Sequence, residues 1–332
     1  MRNVLVTGGA GYIGSHACKA LAAAGYVPIV YDDLSNGHRE FACWGPFVQG
    51  DVRDRARLNE CFARYQPVGV LHFAGLIEVG ASVHDPVGFM DINVGGSATL
   101  FAAAAEYGCE AVVFSSTCAT YGIPQKLPLT ETHPQKPINP YGLSKLLVER
   151  MLVAHDGAGV MRSACLRYFN AAGADSELRV GERHDPETHL LPLLLEVAHG
   201  QRATFTIFGD DYDTPDGTCL RDFVHVDDLA DAHVKALAYL LAGGNSFAAN
   251  LGSGTGTSVH ELMALVREIE GVDIPHGVTA RRPGDAPELV ADTTRARSLL
   301  GWEAKHDLRS IVETASRWHA SIRKVASLSA AS

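Results

Sequence analysis

The stretch VTGGAGYIGSH, residues 6–16, limits what this chain can become more than any other. It follows the apolar run NVLVTG and opens a helical pattern from about residue 12 to 24. Within it Gly8, Gly11 and Gly14 repeat as G-x-x-G-x-x-G. In a strand–turn–helix, the first glycine permits a tight turn. The second lets a pyrophosphate approach the backbone, and the third lets the helix pack close to the strand. The helix N-terminus then offers free N–H groups and the positive end of a dipole to phosphates. An acid closes the pattern: Asp32, at the end of YVPIVYDD, is placed to accept hydrogen bonds from an adenosine ribose. Its carboxylate repels a 2′-phosphate, which favours NAD over NADP. Nearby His38 and Arg39 temper that preference.

The rest of the first half repeats the alternation. FVQGD, VGVLHFAG, EAVVFSS and RSACLRYFN read as strands, with helical patterns near 54–64, 86–106 and around Tyr141. Near-continuous apolar strands separated by helices mean a parallel sheet covered on both faces. Right-handed crossovers make it an α/β, doubly wound parallel Rossmann sheet. Asp51 and Val52 are expected to end the third strand beside an adenine. Phe73, Ala74 and Gly75 are expected to end the fourth, where a cofactor needs room. After Asn170 the composition turns polar through AAGADSELRVGERHDPETH, and shorter elements follow. Helices are expected near 190–199, 228–241 and 259–270, a strand at TFTIFG, and two late helices ending near 322. The expected division is a NAD-binding domain over 1–175 and a smaller α/β substrate-binding lobe over 176–322, whose elements can cross back to the sheet. A flexible tail is expected over 323–332.

Bulk properties exclude several classes. The net charge of -10 argues against a nucleic-acid partner, since duplex binding leans on clustered Lys and Arg. No membrane-spanning run and no signal peptide is expected, and the seven cysteines form no C-x-x-C pair. Free thiols and a cytoplasmic location follow as the expectation. His184 and His189 flank Asp185 and Glu187, and HVDDLADAH at 225–233 mixes His and Asp, but neither has zinc spacing, so no metal is expected. In the second stretch Asp227 or Asp228 is expected to cap the following helix.

One more motif carries chemistry. NPYGLSK, residues 139–145, sets Tyr141 and Lys145 at i and i+4, on one face of a helix. A phenol near an ammonium could serve as a base, or the stretch could be an ordinary amphipathic helix start.

Together with HFAG, SSTCATYG, RYFNAAGA, IFGDDYDTPDGTCLRDFVHVDDLADAH and RRPGD, these features resemble the extended short-chain dehydrogenase/reductase superfamily and, within it, the UDP-glucose 4-epimerase family. The resemblance runs over almost the whole chain. It implies Tyr141 as acid and base at a sugar hydroxyl. Lys145 and an oxidised nicotinamide would both lower the phenol's pKa from its usual ~10, Lys145 would also hold the nicotinamide ribose, and Thr117 would relay the proton. It implies NAD contacts from Tyr12, Ile13, Asn36, Asn93, Ser115 and Tyr168 beside the residues already named. For UDP-galactose or UDP-glucose it implies Asn170 near the diphosphate, Leu190 and Phe208 flanking uracil, Arg221 and Arg282 on the diphosphate, and Asp285 on a ribose hydroxyl. Arginine suits this because its planar fork can bond two phosphate oxygens. It implies Leu289 as a wall of the sugar pocket. A homodimer is implied through the helical stretch 86–106 and the one starting at Tyr141.

The chain departs from the family in places. Ile77 and Glu78 stand where a phosphate-binding lysine is common, and His189 stands where asparagine is common. Cys118 and Ala119 follow Thr117 where 4,6-dehydratases carry Asp–Glu, and uronate decarboxylases also want a glutamate there. Elimination and decarboxylation therefore lack their acids. What is left is C4 epimerisation with no net redox. UDP-N-acetylhexosamines or UDP-pentoses are the alternative substrates, and a dinucleotide-binding sensor is the non-enzymatic alternative.

Overall fold

The computed structural model describes residues 2–282 and 285–330. Its main sheet holds β1 (Arg2–Thr7), β2 (Tyr26–Asp32), β3 (Phe47–Gln49), β4 (Gly69–His72), β5 (Ala111–Thr117), β6 (Arg162–Tyr168) and β10 (Phe247–Leu251). The spatial order is β10-β6-β5-β4-β1-β2-β3. Every pairing along it is parallel. The winding reverses between β1 and β4, and in such sheets ligands bind beyond the strand ends at that crevice. The α/β class and doubly wound sheet expected from sequence are what the chain forms.

Side chains divide by strand alternation. Val4 and Val6 point into one core layer and Leu5 into the other. The first layer takes α1 (Tyr12–Ala23), α8 (Val226–Leu241) and α10 (Thr294–Leu300), through Ala17, Leu21, Leu229, Leu237 and Ala296. The second takes α2 (Arg55–Tyr65), α5 (Gly96–Glu106) and α6 (Pro140–Gly157), through Leu58, Phe62, Leu100, Phe101, Val148 and Leu152. Short α3 (Val79–His84) and α4 (Pro86–Phe89) precede α5.

Beyond the sheet's carboxyl edge stand β7 (Asn170–Ala172), α7 (Leu190–Ala198), β8 (Phe205–Phe208), β9 (Leu220–His225), β11 (Gly256–Ser258), α9 (Val259–Glu270), β12 (His276–Thr279), β13 (Glu288–Leu289) and α11 (Leu308–Ala330). Strand β9 is flanked by β7, β11 and β13, while β8 pairs with β12. Leu194, Ile207, Phe223, Leu262 and Val312 make the core of these elements. Two elements from this half return to the main sheet: β10 extends it, and α8 covers it.

Three local expectations are corrected. The helical stretch after Asp85 is widened into a π-helical turn over Met90–Gly95, between α4 and α5. The cap of α8 is His225, whose Nδ1 accepts from the Asp227 N–H at 3.0 Å, and not Asp227 or Asp228. Asp227 is engaged by His16 and Lys19, and Asp228 accepts from the Lys305 and His306 backbone N–H groups. Residues Pro86–Glu106 are long and apolar enough to cross a membrane by length and composition. Here Leu100, Phe101, Ala103 and Ala104 of that stretch are buried in the sheet's second core layer.

A buried ion pair ties α6 to the sheet. Arg167 Nε and Nη2 donate to the two carboxylate oxygens of Glu149 at 2.9 and 2.7 Å, and the Ser116 hydroxyl donates to the same acid at 2.5 Å. Both side chains are almost fully covered. Removing one partner of such a pair strands the other charge. Glu149→Ala is expected to cost about 3–5 kcal/mol of unfolding free energy in urea.

Candidate functional site

The glycine turn is built from contacts that no side chain could share. Gly8 has φ +70°, and a Cβ there would lie 2.7 Å from the Ala74 nitrogen. A Cβ on Gly14 would lie 2.1 Å from the Gly8 oxygen, so the start of α1 rests directly on the turn. Asp32 pins the same turn from β2: its Oδ2 accepts from Ala10 N–H at 3.0 Å and its Oδ1 from Leu34 N–H at 2.9 Å. Asn36 is exposed on the loop that follows, and Ile13 is half-buried in the first turn of α1.

The crevice continues along β4. Phe73 and Ala74 donate their N–H groups to the Thr7 carbonyl, just past the strand's end. Gly75 has φ +152°, and a Cβ there would meet Asn93 Oδ1 at 2.8 Å and Lys145 Nζ at 3.8 Å. Asn93, turned inward by the π segment, bonds Leu76 N and O and the Ser144 hydroxyl. Backbone from two strand ends, an amide and an ammonium thus surround one strip left free of side chains. A dinucleotide needs that cradle, and these residues fit it.

Asn139 and Pro140 start α6: Asn139 Oδ1 accepts from the Gly142 N–H at 2.8 Å, and proline takes the first helical position. This start sets Tyr141 and Lys145 against the end of β5. Lys145 Nζ donates to the Ser115 carbonyl at 3.1 Å and lies 5.9 Å from the centre of the Tyr141 ring. Burial lowers the Lys145 ammonium to about 8. The Tyr141 phenol is pushed above its ordinary value by burial and by neighbouring Tyr168, while the Thr117 hydroxyl acts the other way. The lowering expected from the Lys145 ammonium together with an oxidised nicotinamide is not seen in the protein alone, where burial outweighs it. Glu78, standing where a lysine was the family's habit, adds to the upward push.

Several sequence-predicted ligands are found engaged with one another. The Ser115 and Tyr168 hydroxyls bond to each other. The Tyr12 hydroxyl donates to the Gly173 carbonyl at 2.6 Å, joining α1 to the segment after β7. Asp51 and Val52 lie beyond β3, not at its end: Asp51 is paired with Arg53 at 2.6 Å, and Val52 is buried. Arg221 donates to Asp285 Oδ1 at 3.1 Å and to the Ala286 carbonyl at 2.9 Å. The Arg282 guanidinium lies 3.9 Å from the centre of the Phe208 ring. Asn170 opens β7, half-buried, and Leu190 is the first residue of α7. Leu289 packs with Cys118, Tyr121, Leu129 and Phe169, directly beside Thr117.

The sequence profile described as the NAD dependent epimerase/dehydratase family matches residues 4–252. The chain belongs to that family. Among its members, UDP-glucose 4-epimerase of Rhizobium leguminosarum bv. trifolii is 57% identical over 317 residues, covering 96% of this chain and 97% of the relative. UDP-glucose 4-epimerase from Brucella ovis, solved in complex with NAD, superposes with a TM-score of 0.93 at 48% identity, covering 96% of this chain and 98% of the other. The UDP-Glc/GlcNAc 4-epimerase of Campylobacter jejuni superposes with a TM-score of 0.85 at 37% identity, covering 97% and 100%.

Sequence reasoning missed the polar layer beneath the site. Tyr121 donates to Asn250 Oδ1 at 2.6 Å and accepts from Arg167 at 3.0 Å, and Arg167 in turn holds Glu149. It also missed a cluster on the polar segment after β7. Glu182, His184, Glu187 and His189 bring one ligand atom each within 4.8 Å of one another. Burial opposes charge on His184, but the Glu182 and Glu187 carboxylates outweigh it and hold the imidazole up at about 10. The spacing 182, 184, 187, 189 matches no zinc pattern in sequence, so only the fold reveals it.

Burying the Lys145 ammonium has a stability consequence. Its folded pKa of about 8 lies below its ordinary 10.5, so the protonated form is disfavoured in the folded state. The cost, on the order of 3 kcal/mol, is fully present below about pH 8 and fades as pH rises toward 10.5. Lys145→Met in cofactor-free protein is expected to be more stable than wild type at pH 7 by urea unfolding. That gap should close by pH 10, while turnover is lost.

Proposed function

We infer that this chain interconverts UDP-galactose and UDP-glucose by inverting C4, with NAD as cofactor and no net redox change. One observation carries the reading: Thr117, Tyr141 and Lys145 gather at a backbone cradle shaped for a dinucleotide, and no carboxylate follows Thr117. Bound NAD supplies a hydride acceptor and donor, and its positive ring favours the phenolate. Tyr141 then takes the C4 hydroxyl proton as the C4–H bond breaks, leaving a 4-keto sugar. Thr117 holds the reacting oxygen and bridges it to the phenol. Tyr141 gives the proton back once the keto-sugar has turned its other face and C4–H has re-formed there.

Elimination from the keto-sugar would need a base beside Thr117. Cys118 is the side chain there, and burial pushes its thiol up to about 12, so it stays neutral and inert. Ala119 carries no titratable group. The similar proteins from Rhizobium and Brucella, both UDP-glucose 4-epimerases, support the same reaction.

UDP recognition is assigned to Asn170, Leu190, Phe208, Arg221, Arg282 and Asp285. The diphosphate can draw Arg282 from Phe208, because a charge-assisted bond to phosphate is stronger than a ring contact, while Arg221, already in a charge-assisted pair with Asp285, has further N–H groups to offer. The exposed apolar residues Val83, Val87, Leu143, Leu147 and Val153 of α3, α4 and α6 mark the face for a second copy of the chain, in a cytoplasmic homodimer.

Purified protein incubated with UDP-galactose and no added NAD is expected to yield UDP-glucose by NMR. Tyr141→Phe should lose roughly 10²–10⁴-fold in kcat while retaining NAD. Unchanged turnover in that variant would sink the mechanism.

Leu289 leaves more room beside the sugar than a tyrosine would. UDP-N-acetylhexosamines are therefore expected as secondary substrates, and Leu289→Tyr should lower their kcat/KM relative to UDP-galactose. An unchanged ratio removes Leu289 from the pocket wall.

A further inference from the structure

We propose that Glu182, His184, Glu187 and His189 form a binding site for one divalent transition-metal ion of the zinc class. The site lies on the segment that leads into α7.

The geometry comes first. Four ligand atoms about 2.0–2.1 Å from a tetrahedral zinc lie about 3.4 Å from one another. His184 Nδ1 is 3.3 Å from Glu182 Oε1 and 3.8 Å from Glu187 Oε2. These are edges of the expected size. His189 Nδ1 and Glu182 Oε1, at 2.5 Å, are closer and share a hydrogen bond. An ion entering there takes that proton's place and moves the two atoms about 1 Å apart.

The donor set fits as well. Two imidazoles with two carboxylates suit zinc better than magnesium or calcium, which take oxygen ligands. The Glu182 and Glu187 side chains are only 5% and 6% exposed. A divalent ion between neutral imidazoles balances the charge of the two buried carboxylates, taking over from the protons that the paired imidazoles otherwise carry. His184 Nδ1 is buried without a hydrogen-bond partner, although both acids face it.

The surroundings hold the acids in place. The Thr188 and His189 N–H groups donate to Glu187 Oε1 at 2.7 and 2.8 Å, which leaves Oε2 free for an ion. Trp318 Nε1 donates to the Glu182 carbonyl at 2.7 Å. Such support orients ligands and raises affinity. Four protein ligands fill a tetrahedron, so the ion has a structural role. It would lock the path from Glu182 to Leu190. That path also touches α1, where the Tyr12 and His184 rings meet edge-on at 6.4 Å.

The test uses untagged full-length protein, stripped with EDTA and dialysed free of chelator. Titration with Co²⁺ is expected to saturate at one ion per chain and to give the intense visible bands of four-coordinate cobalt. Zn²⁺ should displace these bands, and Mg²⁺ should not. Zn²⁺ should also raise the midpoint of thermal unfolding. His184→Asn and Glu182→Gln should each abolish the bands and the shift. Circular dichroism and the metal-free unfolding midpoint check that each variant is folded. Substoichiometric uptake by wild type, the weak spectrum of six-coordinate cobalt, or unchanged uptake in folded His184→Asn would overturn the proposal.

Discussion

The site depends first on backbone lying against backbone. At the β1–α1 turn the Gly14 Cα faces the Gly8 carbonyl, and Gly8 itself faces Ala74 across the crevice, with no space for a Cβ at either contact. Only this closeness lets α1 begin where its free N–H groups look along the sheet's switch point. Asp32 enforces it from β2 through the Ala10 N–H, while its other oxygen holds its own loop through the Leu34 N–H, so a residue expected to read ribose also holds the turn in shape. Its burial raises its pKa, and the bonds from Leu34 and Ala10 work against that rise.

The polar layer under Tyr141 follows from the same need for fixed geometry. A phenol proposed as acid and base on the first turn of a helix is only as well placed as that turn. Asn139 and Pro140 fix the start of α6 locally. Further along, Glu149 fastens the helix to β6 and β5 through Arg167 and Ser116. Asn93 fastens it to the loop after β4 through Ser144. Such buried polar groups contribute little net stability, yet with every member satisfied they allow few alternative arrangements.

Residue order made the sheet and cradle legible because both depend on local signals: apolar runs, glycine spacing, and an acid at a strand end. The chemistry of Tyr141, Lys145 and Thr117 was legible as a group for the same reason. Contacts between distant residues were not. Asp227 looks like a helix cap until His16 and Lys19, more than 200 residues away, claim its carboxylate. Arg221 and Asp285, read as separate ligands, turn out to be paired across 64 residues. The π turn over Met90–Gly95 has no marker in the apolar period, yet it is what aims Asn93 into the cradle. The segment 182–189 reads as a polar loop, and only its folded path brings four donor atoms together.

Tyr141 and Lys145 together explain why the protein alone is not poised for chemistry. Burial works against both charged forms, raising the phenol and lowering the ammonium. The phenol therefore stays neutral until an outside positive charge enters the crevice, while the ammonium, lowered only to about 8, is still largely protonated at neutral pH. A bound oxidised nicotinamide is such a charge, and it favours the phenolate that the Lys145 ammonium then helps to hold. Proton removal is thus tied to the presence of the hydride acceptor. A base active without that acceptor could only strip protons idly. With Cys118 neutral and Ala119 without a titratable group beside Thr117, a keto-sugar held there would have no second base to meet, and Tyr141, in the role proposed for it, would return the proton it took.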